Sequence, residues 1–224
     1  MQDLREAFVL RYRDFRIRDL VRCLESHAIT LEGGGFIVAG VSCERIRVER
    51  IDGSTFYYRA WVEPQTGLVL RWEQRALDNL LLAEVEFESL VYQPDLSGRQ
   101  LRGSTYTQQE LDLAQDLEEQ VGFALLQPQL LPAGYRLESA FVFTDAQERV
   151  WVTRLYEDGC DVLALMQSKP PVSGGGPALG HMDSLETGAW VVMAGEIERS
   201  RVIGVGRLTF DEVRTFLQSS LIGD

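Results

Sequence analysis

The chain has 224 residues, 45% of them hydrophobic and 25% charged, enough for one large globular domain or two small ones. Its formal net charge of −12 argues against a nucleic-acid partner. No apolar run approaches the about 20 residues that span a bilayer, and the polar start Met1-Gln2-Asp3-Leu4-Arg5-Glu6 is no secretion signal.

The charge is uneven. Residues 1–104 carry 14 arginines against 16 acidic residues, a net of −2, whereas residues 105–224 carry 8 basic against 18 acidic, a net of −10. The second half suits a basic partner, or simply keeps the chain soluble. Cys23, Cys43 and Cys160 form no C-x-x-C pair, so no zinc site is expected. Cys23 and Cys43 either close a short disulfide loop or, the simpler reading, all three cysteines are separate buried thiols.

Residues 2–26 read as a helix, with Leu4, Phe8, Phe15, Leu20, Val21 and Leu24 as its apolar stripe. Its six interleaved arginines either face lipid headgroups or form a solvated surface. Gly33-Gly34-Gly35 reads as a hairpin turn and residues 36–51 as a bulged strand. Residues 55–63 alternate, with Phe56, Tyr58, Ala60 and Val62 on one face and Tyr57, Arg59, Trp61 and Glu63 on the other. Pro64 and Gly67 supply the next turn. Residues 68–76 place Leu68, Leu70 and Trp72 together, and Asp78-Asn79 is a two-residue turn. Residues 80–92 point Leu81, Ala83, Val85 and Phe87 inward and Glu84, Glu86 and Glu88 outward. The result is an antiparallel meander with one apolar, aromatic-rich face. A polar linker, residues 97–106, separates a first domain over 1–96 from a second over 107–224.

The second domain opens on a helix capped by Thr107 and Glu110 and closed by Gly122. Strands follow near residues 136–143, 150–156, 162–167, 189–194 and 201–206, with turns at 144–148 and 157–159 and a Pro/Gly/Ser loop over 169–180. A capping box, Thr209 with Glu212, starts a terminal helix. The class is α+β: two successive antiparallel sheets, the second smaller and covered by helices.

No chemistry stands out. His27 and His181 lack nearby ligand partners, and no Gly-x-Ser-x-Gly elbow is present. Glu157-Asp158-Gly159-Cys160-Asp161 lacks the alternating oxygens and distal Glu of a calcium loop and reads as a turn with solvated charges. The expectation is a non-enzyme without cofactor or metal, binding through its aromatic face: Phe36, Phe56, Tyr58, Trp61, Leu70, Trp72, Val85 and Phe87.

Ile37-Val38-Ala39-Gly40, Tyr58 to Leu68 and Val85-Glu86-Phe87 resemble the LolA-like lipoprotein-carrier fold, and more closely the MucB/RseB family of periplasmic regulators. Leu131-Pro132-Ala133-Gly134-Tyr135-Arg136-Leu137 resembles the entry to that family's C-terminal domain, and Trp190 to Ile197 its closing strand. Val41, Glu63 and Glu198 stand where the family usually has Arg, Asp and Pro. The resemblance implies a half-barrel sheet with a helix, shortened at its N-terminal end, then a smaller C-terminal sheet domain. It implies a periplasmic or cell-envelope location, cytoplasmic if the resemblance fails. It further implies an envelope-stress role in sigma-factor regulation: binding the periplasmic segment of an anti-sigma factor and sensing lipid-like or misfolded ligands. The alternative is a periplasmic carrier or chaperone for lipid or lipoprotein. Other expected partners are a lipid or acyl ligand and a second copy through the open sheet edge.

Overall fold

The computed structural model describes residues 15–53, 56–95, 97, 108–145, 147–169, 183–187, 190–197 and 199–222, with only the backbone described at 183–187 and 221–222. The N-terminal part of the expected first helix, its arginines before Arg16, most of the expected linker, and His181 lie outside them. The elements in chain order begin with α1 (Leu20–Ser26) and β1 (His27–Val38). Strands β2 (Val41–Arg50), β3 (Phe56–Val62), β4 (Val69–Ala76) and β5 (Leu81–Glu86) complete the first half. The second half runs β6 (Gln108–Glu110), α2 (Leu117–Val121), β7 (Leu126–Pro128), β8 (Arg136–Thr144), β9 (Val150–Glu157) and β10 (Val162–Ser168). It ends with β11 (Asp183–Thr187), β12 (Trp190–Ile197), β13 (Ser200–Gly206), α3 (Phe210–Gln218) and β14 (Ser220–Ile222).

Strands β1 to β5 form one antiparallel meander, in that order. The three glycines are not its first turn. β1 runs through them with two register shifts, Gly33 and Gly35 taking positive φ, and the hairpin turns instead at Ala39-Gly40. Both turn residues have positive φ (50° and 79°), as the hairpin turn that matches strand twist requires. The 64–67 turn is fixed by Glu63, whose carboxylate accepts hydrogen bonds from the Thr66 hydroxyl and from the backbone N–H of Gln65 (3.0 Å) and Thr66 (2.7 Å).

The second sheet has seven strands in the order β11-β12-β13-β10-β9-β8-β6, so it is the larger of the two, contrary to expectation. The expected helix from Thr107 is corrected as well. Glu110 lies in β6, and the short α2 starts at the N-cap Asp116, whose carboxylate accepts from the Glu118 and Glu119 amides; Gly122 closes it at φ 73°. α3 carries the expected capping box. Its Val213, Phe216 and Leu217 pack on one face of the second sheet with Leu163, Leu165 and Met193. Gly204 lies under this helix, where an added Cβ would come within 3.0 Å of Leu217.

The opposite face of the second sheet meets the first sheet. Val162, Ala164, Met166, Trp151, Val192 and Val205 share one buried cluster with Val48, Phe56, Tyr58, Ala60 and Trp72. The two sheets therefore bury each other, the arrangement of two amphipathic layers around one core. They are not closed into a barrel.

Candidate partner-binding surface

The eight residues expected to line one open aromatic face do not lie together. Phe56, Tyr58 and Trp72, with the half-buried Val85, belong to the core shared by the two sheets. Tyr58 is 1% exposed and Trp72 4%. Phe56 and Trp72 meet the Tyr58 ring edge-on, at 5.6 and 6.2 Å, and the Arg207 guanidinium from the second half lies 4.9 Å from the Trp72 ring centre and 4.7 Å from Trp190. The concavity expected to be open is thus filled by the chain's own second sheet.

Trp61, Leu70 and Phe36 occupy the other face, in a small cluster with Val38 and Cys43. Strict alternation would put Leu70 beside Trp72. The register shift between Trp61↔Arg71 and Val62↔Val69 leaves Leu70 as an extra residue on β4, a bulge that turns it to the outer face. There Trp61 lies between the guanidinium groups of Arg71 (4.5 Å) and Arg45 (5.8 Å). Arg71 reaches Glu73 (2.5 Å), Glu84 (2.6 Å) and Glu86 (3.3 Å), so Glu84 and Glu86 of the outward row are ion-paired. Burial pushes the Glu73 carboxyl up, but hydrogen bonds from Arg75 and Arg71 outweigh it and hold the group below its ordinary value.

Several exposed apolar side chains fall where the meander ends. Among the described residues β5 is an edge strand, paired only with β4. Leu77, Leu80, Leu82, Phe87, Val91 and Tyr92 are all exposed along and just beyond it, Val91 at 69%. An unpaired strand edge with adjacent apolar side chains is a template for adding an extended peptide segment. A separate concavity of about 300 Å³ lies between the end of β2 and α3, lined by Arg50, Leu131, Pro132 and Phe216 with Asp52, Asp211 and Glu212 at its polar lip.

The halves are also joined by α1. Asp19 caps it, and its N-terminal backbone docks on the β9–β10 turn: the Arg18 and Asp19 N–H groups donate to the Gly159 carbonyl (2.7 and 3.2 Å). Gly159 sits at φ 92°, and an added Cβ would lie 2.5 Å from the Asp19 carbonyl oxygen. Cys23 is disulfide-bonded to Cys160, with Cα atoms 5.3 Å apart, while Cys43 is a free buried thiol. This corrects both sequence alternatives, the Cys23–Cys43 bond and three separate thiols. The turn charges are not solvated either. Asp158 and Asp161 are buried, and Asp161 accepts from the Tyr58 hydroxyl (2.7 Å) and meets Arg207 (3.4 Å). Burial drives the Tyr58 hydroxyl well above its ordinary pKa, so it stays a donor to Asp161.

Ser26, His27 and Asp158 adjoin one another, with Ser26 Oγ 2.9 Å and Asp158 Oδ2 4.0 Å from His27 Nδ1. All three are buried, and both oxygens are placed against the same ring nitrogen. The described residues contain no helix long and apolar enough to cross a membrane.

Acid sensitivity follows from two carboxylates. The Thr66 hydroxyl and the Gln65 amide hold Glu63 below its ordinary value. Burial pushes Asp145 up, but bonds from Trp151 Nε1 (2.9 Å) and the Arg149 (3.0 Å) and Gln147 (2.9 Å) amides outweigh it. A group with a depressed folded pKa contributes stability that is present above its unfolded value, about 4, and lost as pH falls through the folded one. Thermal midpoints between pH 3 and 7 should therefore fall on the acid side, and Glu63→Gln should lower the neutral-pH midpoint while flattening that fall. An unchanged acid slope would remove Glu63 as a contributor.

Residues 15–105 match the family model of the MucB/RseB N-terminal domain. Among solved structures, the complex of Pseudomonas aeruginosa MucA and MucB matches with a TM-score of 0.65 at 15% identity, over 93% of this chain and 69% of that one. A crystal structure of MucB in complex with MucA(peri) matches with the same score and identity, over 93% and 72%. A further crystal structure of MucB gives 0.58 at 17% identity, over 93% and 67%. These likenesses establish the fold. No curated protein sequence matches the chain.

Proposed function

We infer that this MucB/RseB-like chain is a regulatory binding protein whose partner is the periplasmic segment of an anti-sigma factor. The observation that carries the reading is the fold shared over 93% of the chain with MucB, in structures where MucB is complexed with MucA. Two features support it. The strand edge with the exposed apolar side chains from Leu77 to Tyr92 offers main-chain hydrogen bonds and apolar contact to an extended segment. The buried Cys23–Cys160 bond fits an oxidising compartment such as the periplasm. In this role the chain binds and shields its partner, and no step makes or breaks a covalent bond. A lipid or acyl ligand reaches Phe56, Tyr58 and Trp72 only by parting the two sheets, so lipid sensing in this chain would couple to opening of that seam.

The test is calorimetric titration of the oxidised chain with the periplasmic segment of an anti-sigma factor from the same genome. A 1:1 complex with a dissociation constant of about 1 μM or tighter is expected, corresponding to about −8 kcal/mol. The double variant Phe87→Glu/Val91→Glu should weaken it about 30-fold, the scale of losing a central apolar anchor, with the thermal midpoint unchanged because both side chains are exposed. No binding by the unaltered chain would reject the reading; full binding by the variant would move the contact elsewhere.

A further inference from the structure

We propose that Cys23, His27, Cys160 and Asp158 form a zinc site gated by the disulfide, empty of ligands while the two sulfurs are bonded and competent once they are reduced. A Sγ atom from each cysteine and a ring nitrogen of His27 all lie within 4.8 Å of one another. All three residues are buried. Cys23 and His27 are four residues apart across the end of α1, where the His27 N–H donates to the Cys23 carbonyl, so both side chains project from one turn of backbone. Cys160 arrives from the β9–β10 turn, 137 residues away in sequence.

The proposed fourth donor, Asp158, lies outside that 4.8 Å group and must shift toward the metal. Asp158 Oδ1 accepts from the Cys160 (2.9 Å) and Asp161 (2.7 Å) amides, which fixes the carboxylate. Its Oδ2 is buried, takes no hydrogen bond, and stands 4.0 Å from His27 Nδ1. A buried carboxylate oxygen without a partner is costly unless a cation or proton answers it. Two thiolates, an imidazole and a carboxylate make a tetrahedral donor set for Zn²⁺, with bonds of about 2.3 Å to sulfur and about 2.0–2.2 Å to nitrogen and oxygen. Ligand atoms in such a site lie about 3.3–3.8 Å apart, so the two bonded sulfurs must part on reduction, and His27 Nδ1 and Asp158 Oδ2, now 4.0 Å apart, must close.

The chemistry balances with a dithiol as reductant. Its two S–H bonds give up two electrons and two protons as its own disulfide forms. The Cys23–Cys160 bond breaks and each Sγ takes one proton. Zn²⁺ then displaces both thiol protons to solvent. The metal enters as α1 opens locally; the helix has seven residues, and its Leu20, Val21 and Leu24 are exposed. Zinc would thus replace one cross-link between the halves with another.

The experiment titrates Zn²⁺ alone into metal-free full-length chain, oxidised or reduced with a phosphine, against a chromophoric chelator, with circular dichroism followed in parallel. The reduced chain should bind one zinc and the oxidised chain none. His27→Gln and Asp158→Asn, both of which still permit the disulfide, should each weaken zinc binding by the reduced chain about 10- to 100-fold, and Cys43→Ser should leave it unchanged. Should the reduced chain lose structure, zinc is expected to restore it. Zinc binding by the oxidised chain, absent binding or recovery on reduction, or indifference to His27→Gln would each overturn the proposal.

Discussion

Replacing Cys160 by serine is expected to destabilise the oxidised chain by about 5 kcal/mol, more than a thousandfold in the folding equilibrium. The magnitude follows from loop length. The bond joins residues 137 apart, so it removes far more conformational freedom from the unfolded chain than a link between neighbours does. The native state also loses a fixed point, because Cys23 lies in α1 and Cys160 in the turn whose Gly159 carbonyl receives the Arg18 and Asp19 amides. Those hydrogen bonds remain in the variant. The loss should therefore appear chiefly as a lower denaturation midpoint, with the native spectrum retained. Urea unfolding of the variant beside the unaltered oxidised chain measures it. A change below about 1 kcal/mol would mean that the bond constrains little in the unfolded state.

Trp72→Ala is expected to cost about 3–5 kcal/mol, the range for deleting a large buried aromatic side chain. Trp72 belongs to the first sheet, yet its surroundings come from both halves: Tyr58 meets its ring from β3, and Arg207 lies over it from the segment after β13. The truncation should therefore weaken both sheets together. Trp151, fully buried in the second sheet and hydrogen-bonded to Asp145, is the natural reporter. Its fluorescence, isolated in a background where Trp61 and Trp190 are phenylalanine, should report a lower midpoint for Trp72→Ala than for Trp72→Phe. If the Trp151 transition stays in place while the first sheet unfolds early, the sheets do not share a cooperative core.

Much of the first sheet was legible because its signals are local. The alternation from Phe56 to Val62 and, in the second half, the Thr209/Glu212 box each fix geometry within a few residues, and the corresponding elements form; the expected two-residue Asp78-Asn79 turn is instead a three-residue loop, Leu77 to Asn79, closed by Ala76 and Leu80. The misreadings share one cause: a local pattern was outweighed by partners distant in sequence. Gly33 to Gly35 have turn composition, but β2 pairs on both sides of them and carries the strand through with bulges. Leu70 has the parity of Trp72 until the bulge beside the Pro64–Gly67 turn shifts it. Asp158 and Asp161 look like solvated turn charges, since the groups that bond Asp161, Tyr58 and Arg207, are dozens of residues away. Likewise, nothing near Cys23 points to Cys160. The aromatic face itself was read correctly as apolar for Phe56, Tyr58 and Trp72. What the sequence could not reveal is the cover, because a face awaiting a ligand and a face awaiting another sheet have the same alternation.

That cover decides where a partner can sit. With the inner face sealed, the proposed contact is the strand edge and the exposed apolar residues beyond β4. Amide hydrogen exchange on the complex with the anti-sigma-factor segment tests this most directly. Slowed exchange is expected across residues 80–92, with β3 and β10 as protected as in the free chain. Unaltered exchange over 80–92, with β3 and β10 exchanging faster as the partner binds, would contradict it: the segment would then have entered between the sheets.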